Sequence, residues 1–189
     1  MNMKRIIIIA AMALMSVSAF AQKFAYVDFN ELVMLVPEMD EARATIEENS
    51  KTNEEILMTM YEEYQSKVQQ YEQKVSTWTQ SVREIKEKEI MDIQSRLEQT
   101  QQTLQQELQQ LQQQLQAPIV EKVNKVVNEL AKTYGVAAVF EKGSFLYVDE
   151  TQLLNLTPEA RTALNIPEGR TLETLQAEMM AKAQTAQGM

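Results

Sequence analysis

The apolar residues of the central chain recur at alternating steps of three and four. In residues 61–78 they are Tyr61, Tyr64, Val68, Tyr71, Val75 and Trp78. A mean spacing of 3.5 residues is typical of helices that pack as a coiled coil. No glycine or proline interrupts residues 38–78, so the pattern predicts one long helix. Most of this stripe is aromatic, and aromatic rings fit poorly between two closely packed helices.

A second periodic stretch predicts the return helix of a hairpin, from about Val82 to Tyr134. Apolar residues spaced by sevens mark it: Ile90, Leu97, Leu104 and Leu111. Glutamine occupies 12 of the 23 residues in 94–116. A disordered Gln-rich tract is one interpretation, but the regular leucine spacing favours a solvated helix face, since glutamine is a good helix former.

The two helices together predict an antiparallel arm over residues 38–117. The sequence "STWTQS" at 76–81 clusters hydroxyl side chains, which compete with helical hydrogen bonding and predict the bend at the tip. Each helix of the arm would be about 60 Å long. Pro118 lies inside the second pattern and predicts a kink or a helix break, because proline lacks the amide N–H.

The segments on either side of the arm have strand patterns. "FAYVDFNELV" predicts a strand of about six residues that is buried on both faces, followed by a short helical turn over 32–36. After the arm, Gly135 predicts a helix C-cap. "VAAVF" and "FLYV" flank "EKGS", which predicts a β-hairpin.

The chain then closes with a short helix and a tail. "LTPEARTALNI" predicts a capped helix, with Thr157 as its N-cap and Pro158 at its first position. Residues 167–189 are only weakly amphipathic, and we expect a loosely ordered tail there.

The predicted fold class is therefore α+β, with a long coiled-coil hairpin inserted in a small body made of residues 22–37 and 118–166. A body of about 65 residues buries little surface on folding, and its strand edges invite pairing with another chain. Strands from several copies would close a common β-barrel and bury the second face of each strand. The pattern thus predicts an oligomer.

The first 21 residues are typical of an export signal. Lys4 and Arg5 precede the apolar run "IIIIAAMALM", and Ala19 and Ala21 occupy small-residue cleavage positions. A membrane anchor is the alternative, but the run is short for a membrane span. We expect cleavage to leave a mature chain that starts at Gln22 and has no stable membrane insertion.

Composition narrows the possible chemistry. Loss of Lys4 and Arg5 leaves 16 basic and 27 acidic residues, a net charge of −11. Such a chain is a poor partner for nucleic acid and for anionic lipid. The chain has no Cys and no His, which excludes a thiol nucleophile, a His base and the usual zinc sites. We expect no enzyme, no metal and no cofactor.

The order of these parts resembles the Skp (OmpH-like) family of periplasmic chaperones. The resemblance rests on the signal, the opening "KFAYVDFNELV", the long glycine-free hairpin and the closing "YGVAAVFEKGSFLYVDETQLLNLTPEARTAL". It implies a periplasmic homotrimer whose body is a β-barrel built from three chains. Three arms would enclose a cavity that holds unfolded outer-membrane proteins without ATP. By position, the strands of the trimer body would contain Tyr26, Val27, Val139, Phe140, Leu146 and Tyr147.

The chain departs from that family in two respects. Better-known members are strongly basic, whereas this mature chain is acidic, so client holding would depend more on apolar contact or on clients of opposite charge. A C-terminal extension at about 170–189 is also absent from the common pattern.

The candidate client-binding residues are the aromatic and methionine side chains of the first arm helix: Met58, Met60, Tyr61, Tyr64, Tyr71 and Trp78. Methionine offers adaptable apolar contact, and tyrosine combines an apolar ring with a polar end. These residues would either line the inside of the arms or simply form the coiled-coil core. Trp78 would contact a client or close the tip. A non-catalytic structural or adaptor protein of the periplasm is the alternative function.

Overall fold

Two long helices dominate the structure, a computed structural model that describes residues 23–147, 149 and 151–187. Helix α1 spans Phe29–Leu35, α2 spans Pro37–Lys74 and α3 spans Gln80–Tyr134. The predicted signal peptide lies outside the described residues. The predicted bend at the tip is confirmed, because α2 ends at Lys74 and α3 begins at Gln80.

Contacts between α2 and α3 fix them as an antiparallel pair. Near the tip, Lys67 Nζ lies 3.8 Å from Glu89 Oε2. Further from the tip, Arg96 lies 3.7 Å from Glu63, and at the base Lys122 donates to Glu38. Partners on α2 therefore run backward as α3 runs forward, which confirms the predicted helical hairpin.

Helix α3 continues through Pro118 without a break. Of the two predicted alternatives, the helix break is therefore wrong, and the kink stays a prediction. A single proline removes one backbone hydrogen bond, but Ile119 and Val123 directly after it are buried in the core. This packing holds the helix together across the missing bond.

The sheet is small and parallel. Strand β1 is Phe24–Val27, β2 is Ala138–Glu141 and β3 is Leu154–Asn155, in the order β2-β1-β3. Both outer strands run parallel to β1, and Tyr26 is paired with Phe140 on one side and with Asn155 on the other. Ala25, Tyr26 and Val27 are all buried, which agrees with the prediction that β1 is mostly buried on both faces.

The predicted β-hairpin after the arm is wrong. A turn of 3-10 helix, Lys142–Ser144, follows β2, and the apolar residues after it, Phe145, Leu146 and Tyr147, are not in a strand. Strand β2 finds its partner in β1, more than a hundred residues earlier, rather than in the segment that follows it. The placement of Leu146 and Tyr147 in body strands is therefore incorrect for the single chain.

Two short helices pack at the sheet. Asp28 caps α1 by accepting from the backbone N–H of Glu31 at 2.9 Å. Helix α4 spans Thr157–Ala163. Thr157 is its first residue rather than its N-cap, and its Oγ1 accepts from the Asp28 N–H at 2.9 Å. That threonine therefore ties the two helices together, which sequence reasoning missed.

The core lies in the body. Its largest fully buried side chains are Leu32, Leu35, Val36, Val123, Leu156 and Leu164. Between Ala42 and Ile119, a stretch that the structure describes throughout, only Ile93 is buried. The arm therefore adds little to the core.

The C-terminal segment is a helix, α5, at Leu172–Gln187. The predicted loosely ordered tail is wrong for these residues. Leu175 is 5% exposed and belongs to the core cluster. The buried Leu175 anchors this helix to the core. The weak amphipathic pattern of the segment did not indicate such an anchor.

Gly135 ends α3 with φ +63° and donates its N–H to the carbonyl of Lys132, which confirms the predicted C-cap. Gly135→Ala is expected to destabilise the protein by about 1–2 kcal/mol, because an L side chain is strained in the left-handed region. A Cβ there would meet no atom within 4 Å, so strain is the sole cause. Urea denaturation measures the change.

Gly143→Ala is the matched control, since this glycine has no positive φ and a Cβ there would only touch Glu141 Oε1 at an ordinary contact distance of 3.9 Å. Equal losses of stability in the two variants would contradict the strain argument.

Candidate functional site

The apolar stripe of the arm is half-buried along most of its length. Tyr64, Val68, Tyr71 and Val75 are each partly buried and keep part of their surface exposed. Two helices bury only one narrow stripe on each other. Wide rings at this stripe therefore remain accessible at its edges.

Tyr71 and Trp78 pack together at the tip. Their ring centroids are 5.9 Å apart in an edge-to-face arrangement. The Tyr71 hydroxyl donates to a Glu87 carboxylate oxygen on α3, and this bond raises the pKa of Tyr71 above its ordinary value. Arg83 Nε donates to the Trp78 carbonyl at 3.1 Å. Trp78 thus has the contacts of a tip-closing residue, while its contact with a client stays a prediction.

Met58 and Tyr61 form the most exposed part of the candidate set. Met58 is 66% exposed and Tyr61 is 51% exposed, whereas Met60 is half-buried. The rings of Tyr61 and Tyr64 lie 6.5 Å apart. Gln65 Nε2 donates to the Tyr61 hydroxyl at 2.7 Å, so the polar end of that ring faces the helix surface.

The six candidate residues do not converge on one site. Met58, Met60, Tyr61 and Tyr64 share the middle of the arm, and Tyr71 and Trp78 share the tip. Met58 and Tyr71 are separated by 13 residues of one helix, or about 20 Å. This spread suits weak contacts along an extended chain better than a pocket for a small molecule.

Sequence reasoning missed two exposed apolar residues on α3. Ile85 is 59% exposed and Met91 is 67% exposed. Both residues lie outside the row of apolar residues spaced by sevens that begins at Ile90. This position outside the row was the feature of the sequence that could have identified them as exposed.

The body carries an open apolar groove of about 750 Å³. Its apolar walls come from α1, α3 and the β1–β2 edge: Val27, Phe29, Val33, Val127, Val139 and Phe140. Val27, Val139 and Phe140 were predicted from sequence as trimer-body residues, whereas Phe29, Val33 and Val127 were not. Val120 also lines the groove and lies seven residues before Val127. This spacing could have indicated that α3 has a second apolar face, directed toward the groove.

The remaining predicted body residues lie elsewhere. Tyr26 is 2% exposed within the sheet, while Leu146 and Tyr147 project into solvent. In the described part of the chain, no strand lies on the outer edge of β2. An open strand edge, an open groove and protruding apolar residues therefore occur together on the body.

Several charged side chains of the described residues form ion pairs. Within the described residues, no three His, Cys, Asp or Glu side chains are grouped as metal ligands would be. In that same part of the chain, no helix has both the length and the apolar character to cross a membrane.

Glu38 at the base of the arm is expected to make stability pH-dependent. Its hydrogen bond with Lys122 lowers the pKa of Glu38 below 4.5. The ionised pair therefore stabilises the fold above that value, and the stabilisation is lost as pH falls through the lowered folded pKa. Because both side chains are about 40% exposed, the effect is under about 1 kcal/mol.

Melting temperatures of the wild type and Glu38→Gln measure this effect. We expect a small difference near pH 7 that closes as the pH falls through the lowered pKa of Glu38. If the difference in melting temperature is the same at neutral and acidic pH, the Glu38–Lys122 ion pair is not its cause.

Comparison with known proteins agrees with this architecture. No curated protein matches the chain. The family model described as "Outer membrane protein (OmpH-like)" matches residues 23–164. This span contains the sheet, the whole helical hairpin and α4, and it ends before α5. Since the match covers most of the chain, the protein belongs to the OmpH-like outer membrane protein family.

Proposed function

We propose that this protein is an ATP-independent periplasmic holdase that binds unfolded outer-membrane proteins between its helical arms. Membership of the OmpH-like family is the observation that carries the proposal. The exposed Met58 and Tyr61 and the half-buried stripe beside them support it. Adaptable apolar surface spread along a rod suits many unfolded chains that are each held weakly.

The acidic surface shapes this proposal. With a net charge of −11 after signal removal, the arms repel acidic clients at long range, and salt screens that repulsion. Apolar contact is therefore the main source of affinity, and clients with basic segments are favoured.

Aggregation of a client tests the holdase function. An outer-membrane β-barrel protein is diluted from urea with and without a severalfold molar excess of this protein, and light scattering is followed in the absence of ATP. We expect scattering to be suppressed. Lysozyme at the same mass concentration is the control for nonspecific crowding. Unchanged scattering would reject the holdase function.

We further propose that three copies assemble through the body. The open groove, the free edge of β2 and the projecting Leu146 and Tyr147 are surfaces that a neighbouring chain would cover. Apolar patches of this kind are typical of protein interfaces, and a β-barrel built from several chains would remove the open edges.

Sedimentation equilibrium of residues 22–189 tests the assembly. We expect a trimer mass at micromolar concentration, and dissociation of the trimer when Phe140 is replaced with Glu. Ile56→Glu on the arm is the matched control, because Ile56 is 41% exposed and Phe140 is 40% exposed. A monomer mass for the wild type, with helicity intact, would refute the trimer.

A further inference from the structure

The C-terminal helix α5 lies outside the residues that the family model matches. It nevertheless joins the core through Leu175 and contacts the base of the arm. Its connection to α4 is also well fixed. Arg161 pairs with Glu31 on α1, and its Nη2 donates to the carbonyl of Arg170 at 2.6 Å. The segment is therefore held at its start by the body.

Arg170 fixes the beginning of this segment to α2. Its Nη2 lies 2.7 Å from Asp40 Oδ1, and its Nη1 lies 3.4 Å from Glu178. The Arg170 side chain is only 18% exposed. Asp40 also accepts from Arg43 Nη1 at 2.7 Å. The Asp40 carboxylate thus binds two arginines. A network of this kind stabilises more than an isolated ion pair on the surface does.

Further along α5, Lys182 lies 3.3 Å from Glu47. From Arg170, just before α5, to Lys182 within it, the partners on α2 move from Asp40 to Glu47, away from the body. Both of these α2 partners flank Ala42, which shares a small cavity with Pro118 of α3. Helix α5 therefore spans the level of Pro118.

Pro118 interrupts the backbone hydrogen-bond ladder of α3 at this level. Proline cannot donate the backbone hydrogen bond that would stiffen the helix there, and helices bend where the bond ladder is interrupted. The cavity of about 350 Å³ beside it leaves room for small movements of α2 against α3. A bend at this level would swing the whole arm relative to the body.

We propose that residues 166–187 act as an intramolecular brace that limits the swing of the arm at Pro118. The brace is anchored in the body by Leu175 and the Arg161 contacts, and it holds α2 on both sides of the hinge through Asp40 and Glu47. Its role is to set the orientation of the arm. This inference concerns one chain and does not depend on what the arms bind.

Distances within one subunit test the brace. Because the chain has no cysteine, spin labels are placed at Gln69→Cys on the arm and Thr162→Cys on the body, both exposed positions. Labelled chains are diluted with unlabelled chains, and pulsed EPR gives the distance distribution. Truncation after Glu168 is expected to widen the distribution by about twofold.

Two further variants keep the test decisive. Leu175→Ala with Arg170→Gln loosens the brace while keeping the chain length, and it should also widen the distribution; Thr185→Ala, on the exposed part of α5, should not. In the truncated chain, Pro118→Ala restores a backbone donor and should narrow the distribution again. If the truncated and double-substituted chains keep the wild-type width, the brace does not exist.

Discussion

Replacing Leu156 with alanine is expected to lower the free energy of unfolding of the body by about 3 kcal/mol. Its side chain is fully buried, and its backbone N–H donates to the Tyr26 carbonyl at 2.9 Å. This bond to the central strand holds the backbone in place, so neighbouring side chains cannot collapse fully into the cavity left by the substitution. The cost of a large-to-small change is greatest at such sites.

Leu154→Ala is the matched control two residues earlier. Leu154 lies in β3 and is 36% exposed, so its loss should cost under about 1 kcal/mol. Native-state amide hydrogen exchange of β1 measures both effects, because it reports on the body rather than on the long arm. Protein concentration is kept constant, since assembly stabilises the folded chain by mass action. Equal effects from the two variants would mean that Leu156 is not a core residue in solution.

The arm was predictable from sequence because its structure is local. Heptad spacing, the absence of glycine and proline and the hydroxyl cluster at 76–81 each act within a few residues. They predicted a bend at 76–81 between helices at about 38–78 and 82–134, and the helices observed are Pro37–Lys74 and Gln80–Tyr134. Local propensity and the apolar pattern agree throughout this region, which is the condition under which such predictions succeed.

The body was less predictable because its strands pair over long distances. The sequence pattern predicted pairing of "VAAVF" with the nearby "FLYV", but β2 pairs with β1, which lies more than a hundred residues earlier. Nothing in a short apolar run specifies a distant partner. The helix α5 was missed for a related reason, since a single leucine and Arg170 make its decisive contacts with distant parts of the chain.

The candidate client-binding residues were found by residue type, but their exposure depended on the packing of two helices. Tyr64 and Tyr71 lie in the apolar stripe and are half-buried, whereas Met58, outside the stripe, and Tyr61, within it, are more than half exposed. The candidates therefore divide by exposure. Substitution of the exposed residues is expected to affect client binding, and substitution of the half-buried ones is expected to affect the stability of the arm.

Replacing Met58 and Tyr61 together with glutamine is expected to weaken client binding about tenfold. Two exposed apolar side chains that each lose about 0.7 kcal/mol of contact give a factor of this size. Helicity and melting temperature should not change, because neither side chain is buried in the arm. Binding is measured by titration of a fluorescently labelled unfolded outer-membrane protein.

Thr59→Gln with Ser66→Gln is the control, since both positions are exposed on the same helix and carry no large apolar side chain. Tyr64→Gln with Tyr71→Gln should instead lower the melting temperature of the arm, because these rings fill the contact between α2 and α3 and Tyr71 also packs on Trp78. If the Met58 and Tyr61 variant binds as tightly as the wild type, clients do not use this face of the arm, and the exposed Ile85 and Met91 on α3 become the surface to test by the same substitution.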